Sequence, residues 1–218
     1  MYNLDSMEES GTIAEVFARI YRLRSWGDGE SRSGPGSGLA RTEGIRADLD
    51  SLVRSLGVRS LLDAGCGDFH WMQAMSFDLD AYIGVDVVDE VVDACAQYAR
   101  PRCEFACLDI TRDALPRVDL ILCRDVLPHF SFADIHRTLD NFARSGSRWL
   151  LTNTFVDRQA NDDITTGEWR PINLERPPFS LPAPSRVIDE RCHHTGGIYR
   201  DKRLSLWELI SPRFRRNA

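Results

Sequence analysis

The chain has 218 residues, 43% of them hydrophobic, and a formal charge of −6. That length supports one sizeable core, so a single domain with decorations is expected. The acidic balance argues against a general nucleic-acid surface, which needs clustered Lys and Arg against phosphates, and the basic run Arg213-Phe-Arg-Arg216 reads as a solvated terminus. The acidic start, Met1 to Glu9, lacks the charged and then apolar pattern of a secretory signal. No apolar run approaches the roughly 18 residues that span a bilayer. Six cysteines without a repeating spacing fit a reducing, cytoplasmic setting, and Cys192-His193-His194 has no second cluster to complete a metal site.

Along the chain, Ile13, Val16, Phe17 and Ile20 recur at helical spacing and predict an amphipathic helix to Leu23. Glycines break it at Trp26-Gly-Asp-Gly29. The Gly/Ser/Pro-rich stretch Glu30–Gly38 carries Arg32 and Ser33, which suits a loop folding over a ligand better than a plain linker. A second helix is predicted over Ala40–Leu56, with Ile45, Leu49, Leu52 and Val53 on one face and Gly57 as its stop. Strands are then expected near 58–62, 81–85, 102–107, 118–123 and 147–153, with helices near 68–76, 88–99 and 131–144, the last capped by Ser131. Strands alternating with helices imply an α/β fold with a mostly parallel, doubly wound sheet. Residues 157–184 form a long proline-rich segment, read as a functional loop, with Trp169, Arg170 and Asn173 expected to close a pocket. Two final runs, Ser185–Glu190 and Leu204–Ile210, have no helix between them and predict an antiparallel hairpin at the sheet edge. Residues 1–38 are thus an N-terminal helix and lid, and residues 39–218 the main domain.

Ligands of open α/β sheets bind at the carboxyl ends of the strands. Four candidate positions fall there: Asp63-Ala-Gly-Cys-Gly67, Asp86, Asp109 and Cys123-Arg-Asp125. A glycine loop leaving a strand lets backbone N–H groups approach a ligand, and an acidic residue about twenty positions on suits ribose hydroxyls. His70 stands where a dinucleotide fingerprint needs its third glycine, and no Gly-Lys-Ser/Thr occurs, so NAD and a phosphate loop are disfavoured.

These residues resemble the class I S-adenosylmethionine-dependent methyltransferases, whose Rossmann-like sheet has seven strands with an antiparallel C-terminal pair. Asp63, Gly65 and Gly67 match the family's first motif, and Asp86 its ribose-binding acid. Asp109, in Cys107-Leu-Asp-Ile-Thr111, matches the acid that reaches the adenine amino group. The family's third glycine is Phe69 here. The segments Trp26–Ser37, Cys66–Met72, Cys123–Asp125 and Gly167–Leu174 are further similar to a group of small bacterial methyltransferase-like proteins. That likeness brings the N-terminal segment into the cofactor site. The implied cofactor set is Trp26, Arg32, Ser33, Asp63, Gly65, Cys66, Gly67, Asp86, Val87, Asp109, Ile110 and Arg124, with S-adenosylmethionine as the cofactor and no metal.

Arg32 suits the methionine carboxylate because guanidinium recognises carboxylates bidentately, and Trp26 or Tyr21 suits the sulfonium by cation–π attraction. Asp63 is a candidate for the α-amino group. Asp125 and His129 are the general-base candidates for the reacting centre. The expected activity is methyl transfer to oxygen or nitrogen of a small molecule, with neither nucleic acid nor membrane as partner and the oligomeric state open. Two alternatives stay open: intramolecular attack by the cofactor's own α-amino group, giving azetidine-2-carboxylate and methylthioadenosine, and a non-catalytic cofactor-binding module.

Overall fold

A computed structural model describes residues 11–27, 29–193, 195–210 and 214. The expectations for Met1–Glu9, for His194 and for the arginines of the C-terminal run lie outside the described residues. The sheet has seven strands: β1 (Ser60–Ala64), β2 (Ala81–Asp86), β3 (Cys103–Cys107), β4 (Leu120–Cys123), β5 (Trp149–Phe155), β6 (Arg186–Asp189) and β7 (Lys202–Glu208). Their order is β3-β2-β1-β4-β5-β7-β6. The first five are parallel, and β7 runs antiparallel between β5 and β6. The winding reverses between β1 and β4, which opens a crevice at their carboxyl ends.

The helices follow their sequence signals. α1 (Ile13–Arg22) starts from a capping box in which Thr12 and Glu15 satisfy each other's backbone N–H groups. α2 (Leu39–Leu56) ends at Gly57, which takes the left-handed conformation with φ 63°. α3 (Asp89–Cys95) is short and passes into a single 3-10 turn. α4 (Phe132–Arg144) is capped by Ser131, whose hydroxyl accepts from Asp134 N–H. Ile45, Leu49, Leu52 and Val53 of α2 bury one face of the sheet against Leu61, Leu120, Leu122 and Leu206. On the other face Ile135, Leu139 and Phe142 of α4 pack on Leu62, Ile121 and Leu150.

Two expectations are corrected. The helix near 68–76 is only a 3-10 turn at Met72–Ala74. Phe69 is left-handed there, at φ 59°, and breaks helical geometry at the start of the segment. Its buried ring packs on Tyr82, Tyr98 and Phe105, which offsets the backbone cost of about 1–2 kcal/mol. The long loop, 157–184, does not close the pocket. Ile172, Leu174, Phe179 and Leu181 sink into the α4-side core. The buried Arg170 guanidinium instead donates to the carbonyls of Leu127, Pro128 and Phe130, bracing the turn after β4 from behind. Asn173 holds the loop's own backbone through Val156 and Arg158, and Trp169 packs on Tyr199.

Candidate active site

The twelve cofactor candidates and the two base candidates all line one cleft at the carboxyl edge of β1 to β4, enclosing about 1010 Å³ with its open mouth included. The glycine loop forms its floor. Gly65 is left-handed, and a Cβ there would fall 2.3 Å from Val126 Cγ2, so the loop and the turn after β4 touch only because that side chain is missing. Asp86 at the end of β2 accepts from the N–H groups of Gly67 (3.2 Å) and Val88 (3.1 Å). Burial raises its pKa, and those N–H groups partly restore the charged form. Beside it Val87, Val88, Val91, Leu108 and Ile110 make an apolar slot. Asp109, at the slot's edge, closes its own turn: Oδ1 accepts from Thr111 N (2.9 Å) and Thr111 Oγ1 (2.6 Å), and Oδ2 pairs with Arg112.

Asp63 is buried within β1, and Tyr82 donates to its Oδ2 at 2.6 Å. Burial pushes this carboxyl up to about 7, with the Tyr82 hydrogen bond pulling weakly the other way. Tyr82 and this pairing were missed at the sequence level because the tyrosine reads only as an ordinary strand residue.

The N-terminal segment covers the cleft. Asp68, directly after the glycine loop, accepts from Ser31 Oγ (2.9 Å), Arg32 N (2.8 Å) and Ser33 Oγ (3.1 Å), and donates its own N–H to Ser33 Oγ (2.9 Å). A Cβ on Gly67 would lie 2.1 Å from Ser33 Oγ, so only glycine admits this docking. Arg32 lies over the Tyr21 ring, 3.7 Å from its centroid, and donates from Nη2 to Tyr21 O. The face of Tyr21 expected to meet a sulfonium is therefore occupied by Arg32. The Nε of Arg32 is buried without a partner beside the cleft, a donor suited to an anionic ligand group. Trp26 packs on His129 with ring centroids 4.4 Å apart and planes tilted by 37°, and Phe17 bridges Trp26 and Phe130 at 5.8 Å each.

The turn after β4 holds the two base candidates, and their environments separate them. Asp125, left-handed at φ 59°, is held by Lys202 Nζ, 2.5 Å from Oδ1 and 2.8 Å from Oδ2, and by Arg124 Nη1 at 3.3 Å. Burial pushes its pKa up, but the two cations outweigh that and keep the carboxyl well below the usual range. So firmly held an anion is a poor proton acceptor, which argues against Asp125 as the base. His129 Nδ1 lies 2.8 Å from Glu168 O; a carbonyl only accepts, so Nδ1 carries the proton and Nε2 keeps its lone pair. Burial lowers its pKa, only partly countered by the Glu168 carbonyl and Asp125, and the ring is a neutral base at pH 7. Arg124 is buried and grips Glu190 Oε2 through Nε (3.0 Å) and Nη2 (2.7 Å), while Nη1 donates to Gly36 O of the lid at 3.1 Å. Glu190 and Lys202, which complete this cluster, come from the ends of β6 and β7 and carried no motif.

Comparison with known proteins agrees with this geometry. Residues 61–146 match the family described as "Methyltransferase domain". N-methyltransferase NodS from Bradyrhizobium japonicum is 15% identical over 78% of this chain and 96% of that one, with a TM-score of 0.55. Magnesium protoporphyrin IX methyltransferase ChlM from Synechocystis PCC 6803, solved with bound SAM, is 18% identical over 72% and 82%, with a TM-score of 0.50. Against the methyltransferase domain of bacterial CtHen1 the identity is 12% and the TM-score 0.48, and this chain spans 66% of that chain's length. No curated protein matches the chain significantly. The fold is that of the class I S-adenosylmethionine-dependent methyltransferases.

Proposed function

We propose that this protein is an S-adenosylmethionine-dependent methyltransferase acting on a small molecule. The observation that carries the reading is the convergence of four strand ends, bearing Asp63–Gly67, Asp86, Asp109 and Arg124–Asp125, on one lidded cleft. The residues fit the cofactor in chemistry: the Asp86 carboxylate for ribose hydroxyls, the apolar slot of Val87 to Ile110 for adenine, and the unpartnered Arg32 Nε for a carboxylate. S-adenosylmethionine, when bound, supplies an electrophilic methyl group. His129 then serves as the general base, taking at Nε2 the proton of the oxygen or nitrogen that is methylated. Glu168 fixes its tautomer, and Trp26 holds the plane of its ring. Phe17, Trp26 and the lid exclude water from the reacting atoms. The six cysteines are all free thiols, in keeping with a reducing cytosolic setting. Among the described residues no helix is long and apolar enough to cross a membrane.

The test is a product analysis with purified protein, the cofactor and a metabolite extract. S-adenosylhomocysteine with a methylated extract component is expected, and an unchanged cofactor overturns the reading. Methylthioadenosine formed without any acceptor would point instead to intramolecular attack by the α-amino group. His129→Gln is expected to lower kcat by about 10²–10⁴-fold while leaving cofactor affinity within a small factor. Unchanged turnover would remove His129 as the base.

A further inference from the structure

Four charged side chains meet behind the cleft. Arg124, Glu190 and Lys202 keep only 6%, 1% and 9% of their side chains exposed, whereas Asp125 keeps 30%. Two positive and two negative groups sum to zero, so a cation brought to this corner meets no net repulsion from the cluster. Asp125 is the carboxylate that the cluster presents to the cleft. We propose that Lys202 is a positioning residue which holds Asp125 as the seat of a ligand ammonium group, namely the α-amino group at the methionine end of the cofactor. The proposal rests on the cofactor reading above.

The geometry around Asp125 is over-determined. Its backbone N–H donates to Asn153 Oδ1 at 2.8 Å, and Asn153 Nδ2 donates back to Asp125 Oδ1 at 3.2 Å. Asn153 is fully buried in β5 and cannot swing away. Lys202 begins β7 opposite Phe155, so the antiparallel register delivers its ammonium to the carboxyl edge of the sheet. Nζ bridges both oxygens of Asp125 and lies 3.3 Å from Glu190 Oε2, which keeps it in place from behind. Gly36 of the lid closes the near side, where a Cβ would fall 3.1 Å from Asp125 Oδ2. Even so held, Asp125 keeps 30% of its side chain exposed and lines the cleft.

Asp63, the other candidate for the amino group, is less suited. It is buried within β1, and that burial leaves it only partly ionised at neutral pH. An ammonium pairs best with a carboxylate that is already charged before it arrives. The groups facing Asp125 are Arg124 from β4, Asn153 from β5, Lys202 from β7, His129 from the turn and Gly36 from the lid, with Glu190 compensating both cations from the end of β6.

The test compares two probes on three proteins by calorimetry. S-adenosylhomocysteine carries the amino acid end, and methylthioadenosine lacks it. Lys202→Met is expected to weaken S-adenosylhomocysteine by about 10- to 100-fold while methylthioadenosine stays within about threefold, since Asp125 loses the ammonium that fixes its orientation and only the amino acid end of the ligand meets that carboxylate. Lys202→Arg is expected to restore most of the loss. Lys202→Met lets the Asp125 carboxyl rise, so S-adenosylhomocysteine affinity is expected to fall at a higher pH on acidification than in the wild type. Lys202 also depresses the His129 pKa, so both proteins are compared in a His129→Gln background, where that titration is absent. Equal weakening of both probes, or no weakening of either, overturns the role of Lys202 and leaves the cofactor reading standing. A wild-type protein that binds neither probe overturns both.

Discussion

At the scale of single residues, the cleft is built from carboxylates whose surroundings set them apart. Asp63, Asp86 and Asp125 sit at neighbouring strand ends, yet burial raises the first two while Lys202 and Arg124 hold the third down. Asp63 makes the stability of the ligand-free protein depend on pH. Its pKa is raised from 3.8 to about 7, so its contribution is fully present below 3.8 and is lost as pH climbs to about 7. Asp63→Asn keeps an acceptor for Tyr82 and removes the charge. The expected outcome is a higher Tm than wild type at pH 7.5 and a smaller difference near about pH 4, read by thermal melts at both values. Phe69 teaches a related lesson. The sequence places a bulky residue where the family has a third glycine, but the chain keeps the left-handed backbone and uses the ring as core. The motif was legible there because backbone shape, rather than residue identity, is what the loop requires.

Among the elements, the lid was the more difficult to foresee. Its composition, Ser31-Arg-Ser-Gly34 among further glycines, suggested a ligand-covering loop, and it does cover the cleft. What composition could not reveal is the partner, because Asp68 lies 35 residues from Ser33 and looks like an ordinary loop acid. Asp68→Ala removes the acceptor of three lid hydrogen bonds. Cofactor affinity is expected to fall by about tenfold or more, and trypsin to cut after Arg32 faster, with the secondary structure by circular dichroism unchanged. Unaltered cleavage and affinity would mean that the contacts with Arg124 and Glu30 hold the lid without Asp68. The long loop was misread for the opposite reason. Its prolines signalled irregular backbone correctly, but Ile172, Leu174, Phe179 and Leu181 are too scattered to display a period, so their burial against α4 was invisible.

For the whole molecule, hydrophobic patterning carried the sheet, including the antiparallel pair at its end. The central strands β1, β4 and β5, buried on both faces, stand out as apolar runs, while the mostly exposed β6 is marked only by its short run beside β7. The charge cluster was not legible, since Arg124, Glu190 and Lys202 are up to 78 positions apart in the chain and are joined only by strand order. Its outermost contact, Arg124 to Gly36 O, ties the lid to the centre of the sheet, while Asp68 ties it to the glycine loop. Between those two anchor points the lid has no buried apolar side chain of its own. Its local opening free energy is therefore small compared with that of the strands, and the amides of residues 31–38 are expected to exchange with deuterium well before those of β1 or β4. Adding S-adenosylhomocysteine is expected to slow that exchange without changing the strands, and equal rates in both states would detach the lid from binding. The ligand then leaves no faster than the lid lifts, and its residence time becomes a property of a short peptide strap rather than of the pocket beneath it.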